Sequence, residues 1–198
     1  MTFKYPTDQE QVSGWGRNRI AKVQVLQPRE INQVQKLITK ASTSSLIPRG
    51  LGRAYGDAAQ IDGEAVIDLA MFDEITFDPT TSTVTVGAGV TLKTLLKVLV
   101  PKGYFLPVTP GTSNVTVGGA IAADVHGKNH HCDGSFSKHL LRLTLVDGSG
   151  VLRELKPCNN TNEIDATFFW ATVGGMGLTG VIVKACFSVI PISSSLIN

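Results

Sequence analysis

Apolar and polar positions alternate over residues 20–26, Ile-Ala-Lys-Val-Gln-Val-Leu, and that period of two predicts a short strand. Pro28 suits the first turn of a helix, and Ile31, Val34, Leu37 and Ile38 follow on one helical face. Residues 45–48 and 65–69 read as strands. Residues 75–89 read as a hairpin, turning at Asp78-Pro79, with Val84 and Val86 alternating after it. Thr91 is an N-cap for a helix to about Val100, with Leu92, Leu95, Leu96 and Leu99 on one stripe.

Residues 104–107 are a short extended segment, and the small residues of 117–125 predict a short buried helix. Residues 140–156 form a hairpin pattern with Asp147-Gly148 in the turn. Residues 165–173 suit a short helix, with Phe168, Phe169 and Trp170 as core, and 178–191 suit one long last strand. The order is α+β rather than a regular βαβ array. No internal repeat or low-complexity linker interrupts it, and the chain stops abruptly after a strand, at Ile-Ser-Ser-Ser-Leu-Ile-Asn.

At 198 residues the chain is one domain, or one domain and a fragment. That length buries most of its apolar surface without disulfides. Hydrophobic residues make up 42% and charged residues 17%, a globular composition. The net charge of +2, with no basic run, argues against a nucleic-acid footprint. The polar start is no signal peptide, and no apolar stretch approaches the roughly 18–20 residues needed to span a bilayer. Cys132, Cys158 and Cys186 are odd in number and widely spaced, which fits reduced thiols in the cytoplasm.

The 20 glycines change the picture because they cluster, at 49–57, 86–90, 110–119 and 173–180. Four such clusters imply a cleft lined by main chain. Gly50, Gly52 and Gly56 do not fit the dinucleotide fingerprint, since a loop and a strand follow instead of a long helix. The cluster still offers consecutive N–H groups flanked by Arg49 and Arg53, a nest suited to a pyrophosphate.

Three of the four histidines fall within residues 126–131, in His-Gly-Lys-Asn-His-His, followed by Cys132 and Asp133. A metal site, a catalytic site and a polar loop all remain open on spacing alone. Gly127 and Asn129 disfavour the helix that a zincin pair would need.

Pro48–Ala59, Pro107–Phe136 and Phe168–Gly180 together resemble the FAD-binding domain of vanillyl-alcohol-oxidase (PCMH-type) flavoproteins. Within that family they are most similar to the decaprenylphosphoryl-β-D-ribose 2′-oxidase-like FAD-linked oxidases. The resemblance runs from about Trp15 to Pro191 and implies a PCMH-type domain of two α+β subdomains, about 15–75 and 76–191, holding FAD between them. It places a separate substrate (cap) domain, and a returning segment, beyond the position where this sequence stops.

The resemblance implies roles by position. Arg49, Gly50, Leu51, Gly52, Arg53, Ala54, Tyr55, Gly56 and Asp57 would form the pyrophosphate loop. Gly111, Thr116, Val117, Gly118 and Gly119 would line the diphosphate and ribityl side. Ala123, Asp124, Val125 and His126 would pass beside the isoalloxazine, and Val181 or Ile182 would meet the adenine end. Asp124 also suits a loop-ordering acceptor. Tyr55, His126 and Lys128 would border the substrate, with His126 a candidate base and Lys128 facing a phosphate or the reduced ring.

Covalent members often carry a histidine where this chain has Arg53, so the resemblance implies non-covalent FAD. The implied reaction is oxidation of a secondary alcohol of a sugar, the 2′-OH of a polyprenyl-phosphate-linked pentose, with a reductase partner completing epimerisation. The implied location is cytoplasmic, peripheral to the inner face of the membrane. A stand-alone flavin-binding chain without turnover, an alditol or aldonolactone oxidase, and a non-flavin metal module are the alternatives.

Overall fold

The computed structural model describes residues 9–41, 45–157 and 163–196, so Cys158 lies outside the described residues. The first sheet holds β1 (Glu10–Ser13), β2 (Ile20–Leu26), β3 (Leu46–Arg49) and β4 (Ala65–Asp68) in the order β1-β2-β4-β3. β1 runs antiparallel to β2, whereas β4 is parallel to both β2 and β3. Parallel strands need a crossover, and α1 (Ile31–Lys40) makes the one from β2 to β3, the strands on either side of β4, burying Val34 and Leu37.

α1 starts later than Pro28 predicts. Glu30 takes the N-cap with extended dihedrals, and Gln33 Oε1 accepts the Arg29 N–H at 2.7 Å, holding the entry open. β1 carries one apolar residue, Val12, so alternation cannot reveal it.

The second sheet is antiparallel, in the order β5-β6-β10-β8-β9. Its strands are β5 (Ile75–Asp78), β6 (Thr83–Gly87), β8 (Leu140–Asp147), β9 (Leu152–Leu155) and β10 (Gly180–Ser188). The last strand is divided. β11 (Ile190–Pro191) leaves the sheet to pair with β7 (Tyr104–Phe105), and Pro191 has no N–H with which to extend a ladder.

α2 (Leu92–Leu99) is capped by Thr91, whose hydroxyl accepts the Thr94 N–H at 3.0 Å. α3 (Val117–Ala122) is capped in the same way by Thr116, from the Gly119 N–H at 3.2 Å. With α5 (Glu163–Thr172), these helices join the main core around Val86, Leu145, Val183 and Phe187.

A further sequence expectation changes at Trp170. Phe169 is fully buried and Phe168 packs on the core, but Trp170 is 51% exposed and donates its indole N–H to Pro157 O. A one-turn helix, α4 (His130–Asp133), begins only after Asn129, so the helix that would pair His126 with His130 does not form, as the sequence argues. Gly127 and Asn129 stay outside α4, with Asn129 O accepting from Cys132 and Asp133.

The chain passes from the first sheet to the second in backbone contact with the end of β6. Gly89 donates to Phe72 O, and a β-carbon on Gly89 would lie 2.0 Å from Leu69 O. This contact brings the ends of β4 and β6 together beside the cleft. Cys132 is an exposed free thiol and Cys186 a buried one. Among the described residues no helix is long and apolar enough to cross a membrane.

Candidate functional site

A cleft of about 830 Å³ opens where the ends of β3 and β4 meet the ends of β6 and β10. That volume lies within the range of about 300–1,000 Å³ typical of small-molecule sites. Its wall is mostly apolar, with Leu69, Val115, Val125 and Ile182 among the side chains, and glycine-rich main chain on several sides.

The loop after β3 carries the polar part. Among the described residues, no hydrogen bond uses a main-chain N–H of residues 50–56 as its donor. Gly52 and Gly56 hold left-handed φ values of 65° and 67°, which turn the chain where a side chain would be strained. Arg49 lies under the loop, donating to Ser13 O at 2.7 Å and Ala59 O at 3.0 Å. Burial pulls its pKa down from the ordinary arginine value, and the Asp68 carboxylate opposes that shift. Arg49 therefore braces the loop through carbonyls. Asp57 turns outward and pairs with Arg19.

Of the residues singled out in the sequence, Arg49, Gly50, Leu51, Gly52, Arg53, Ala54 and Tyr55 line the cleft. So do Gly111, Thr116, Gly118, Gly119, Ala123, Val125 and Ile182. Gly56 and Asp57 lie beyond its wall. Val117 is fully buried in the core, and Val181 faces a smaller groove with Ile38, Leu46 and Ile67. Asp124 also points away. At φ 40° it turns its carboxylate to Ser135 Oγ at 2.8 Å and to Ser137 N at 2.9 Å.

His126 and Lys128 are exposed and sit just past Val125, outside the cleft wall. Their loop is tied at several points. Val125 O accepts from Phe136 N, and Asn129 donates to Pro107 O at 2.9 Å. Gly127 is buried where a β-carbon would meet Thr109 O at 2.8 Å. His130 Nδ1 contacts Gly127 O at 3.0 Å, and His139 Nε2 contacts Asp133 O at 2.9 Å. The His126 and His130 rings meet edge to face at 5.2 Å. Among the described residues no three His, Cys, Asp or Glu side chains are placed to share a metal ion.

Sequence reasoning missed Trp15, which lines the cleft, and also Met176, whose N–H docks on Ala122 O. Trp15 stands between Gly14 and Gly16, so the glycine criterion applied elsewhere could have found it.

These residues fit FAD. The unengaged N–H groups of the 50–56 loop suit a diphosphate. The apolar walls and bare main chain at Gly111, whose added β-carbon would meet nothing within 4 Å, leave room for flat rings.

Comparison with known proteins agrees. Residues 23–156 match the FAD binding domain family. The chain is 42% identical over 194 residues to the decaprenylphosphoryl-β-D-ribose oxidase of Mycolicibacterium smegmatis, covering 96% of this chain and 41% of that protein. It is 31% identical to an uncharacterized oxidoreductase of the fasciation locus of Rhodococcoides fascians, covering 81% of this chain and 36% of that one. It is 28% identical to the D-arabinono-1,4-lactone oxidase of Yarrowia lipolytica, covering 83% and 31% respectively. The chain thus spans 31% to 41% of the length of these relatives. On the family match and the fit of the cleft, the chain belongs to the FAD-binding domain family of FAD-linked oxidoreductases, and FAD is its cofactor.

Proposed function

We propose that this chain is the cofactor-holding part of an oxidoreductase acting on a secondary alcohol of a sugar, carried as a lipid-linked pentose phosphate. The observation that carries the reading is the row of unengaged loop N–H groups at one end of an apolar cleft. The choice of sugar rests on the 42% identity to the decaprenylphosphoryl-β-D-ribose oxidase, against 28% to the lactone oxidase.

Bound FAD would supply the acceptor for the two electrons taken from the carbinol carbon. The chain's residues would hold and orient it. Main-chain N–H groups of 50–56 would donate hydrogen bonds to the diphosphate. Gly111, Thr116, Gly118 and Gly119 form the wall on its diphosphate and ribityl side, and Ala123 and Val125 bound the ring. Ile182 closes the adenine end. Arg53, in place of a histidine, leaves the loop without a group to tether the flavin.

His126 makes no hydrogen bond among the described residues, so a ring nitrogen is available to take the hydroxyl proton. Lys128, exposed beside it, offers a cation to developing negative charge. Tyr55, 79% exposed, stands at the rim where substrate enters. The keto product then passes to a reductase.

A second reading, flavin binding without turnover, draws on the position of His126 and Lys128 outside the cleft wall. The test mixes the FAD-loaded chain, without oxygen, with a short-chain polyprenyl-phosphoryl ribose. Bleaching of the visible flavin band is expected. A band that persists with the sugar, yet bleaches with dithionite, leaves the cofactor reading standing and removes turnover by this chain.

A further inference from the structure

The rim of the cleft carries a cation and an aromatic surface that the cofactor's own groups do not explain. Trp15 is 55% exposed, Tyr55 79% and Leu51 44%, and all three line one end of the cleft. The Arg53 guanidinium lies over the Trp15 ring, 5.2 Å from its centroid. Monomeric surfaces do not usually gather large apolar side chains beside a cleft without a ligand or partner to cover them.

The two turns that present this pair are locked together by main chain. Trp15 N donates to Ala54 O at 2.9 Å. A β-carbon on Gly14 would lie 2.2 Å from Gly56 O and 2.8 Å from Ala54 O, so the turns touch where only glycine fits. Arg49 ties the same turns from below through Ser13 O. The Trp15–Arg53 pair is therefore a fixed feature of the rim.

The charges are unequal. Arg19 is paired with Asp57, and Arg49 is engaged with carbonyls near Asp68. Arg53 donates to Leu51 O at 2.8 Å and has no carboxylate partner among the described residues. A guanidinium has five N–H donors in a fork that matches phosphate oxygens, so one backbone bond leaves that fork available. Stacking on an indole face holds the guanidinium without neutralising it. Arg17, in the same turn as Trp15, also lacks a carboxylate partner among the described residues.

We propose that Arg53, Trp15, Leu51 and Tyr55 form the anchoring site for an isoprenoid phosphate ester. The phosphate sits on the Arg53 guanidinium, and the first apolar segment of the chain lies along Trp15, Leu51 and Tyr55. This rests on the reading that the cleft holds FAD. The Arg53 main-chain N–H serves the cofactor, while its side chain serves the substrate.

The test follows indole N–H resonances of the FAD-loaded chain by NMR, since only Trp15 and Trp170 give them. Farnesyl phosphate is the probe, with farnesol and inorganic phosphate as controls. The Trp15 resonance is expected to shift saturably with farnesyl phosphate while that of Trp170 stays, and each control binds more weakly. Arg53→Gln is expected to weaken farnesyl phosphate about tenfold, as loss of a charge-assisted pair does, while the visible flavin spectrum is kept. Arg53→Lys, retaining charge without the fork, falls between.

Equal affinity in Arg53→Gln, or an equal response to farnesol, overturns the proposal. So does release of FAD by Arg53→Gln, which assigns the side chain to the cofactor. Loss in Lys128→Gln with none in Arg53→Gln moves the phosphate to the loop that carries His126 and Lys128 and also overturns it. A wild-type chain that takes no FAD undoes the cofactor reading instead, whereas an FAD-loaded chain that ignores farnesyl phosphate undoes only this inference.

Discussion

Gly50 and Thr116 meet on the wall of the cleft: a β-carbon on Gly50 would lie 2.4 Å from Thr116 Oγ1, the hydroxyl that caps α3. One contact thus sets the position of the diphosphate loop against the helix opposite it.

Gly50→Ala is expected to push the loop off α3, costing about 1–3 kcal/mol of stability, as overpacking of a close contact does. FAD affinity falls with it. Thr116→Ala removes the cap and costs about 1 kcal/mol. The two changes together cost less than their sum, because the second removes the atom the first collides with. Urea denaturation and FAD titration of the three variants check this; strict additivity would mean that the loop and helix are not in contact.

Asp124 governs the segment that carries His126 and Lys128. Its carboxylate accepts from Ser135 Oγ and Ser137 N and closes the loop between them. Asp124→Ala leaves those donors unpaired at a cost of about 1–3 kcal/mol, and frees the Lys128-Asn129 bond for trypsin. Asp124→Asn, which keeps an acceptor, stays closer to the wild type. Trypsin digestion followed by mass spectrometry reads the cleavage; equal resistance in Asp124→Ala would show that the clamp does not hold the loop.

The β8–β9 turn gives the fold an acid sensitivity. Burial works against ionisation of Asp147, but the Arg153 side chain and the Val151 and Ser149 N–H groups outweigh it. They hold the carboxyl below the usual aspartate range. The group therefore binds its proton more readily unfolded than folded. Its contribution is fully present above the unfolded pKa of about 3.9 and is lost as pH falls through the lower folded value. Asp147→Asn is expected to be less stable at neutral pH and to lose less stability on acidification. Denaturation curves at neutral and acid pH check this, and parallel losses in both proteins would contradict it.

Elements with a strong period were legible in the sequence. Ile20–Leu26, the Leu92–Leu99 stripe behind Thr91, and the Asp147-Gly148 hairpin stand where alternation, capping and turn chemistry place them. The glycine clusters foretold main chain along the cleft. What the sequence could not show was set by partners distant in the chain. Arg49 reads as a phosphate ligand until the carbonyls of Ser13 and Ala59 claim it. Asp124 reads as a cofactor contact until Ser135 and Ser137 turn it away. Trp15 enters the cleft only because Gly14 lets its turn touch residues 54–56. The division of the last strand at Val189 depends on β7, which offers β11 a pairing edge.

The central claim is that this chain holds FAD, without a covalent bond, in the cleft beside the 50–56 loop. The most direct test is the visible absorbance spectrum of the purified chain after incubation with FAD and gel filtration, repeated on the supernatant and pellet after acid precipitation. Flavin bands that travel with the protein and leave in the acid supernatant are the predicted result. A chain that emerges colourless from gel filtration, or a flavin that stays with the pellet, would contradict it.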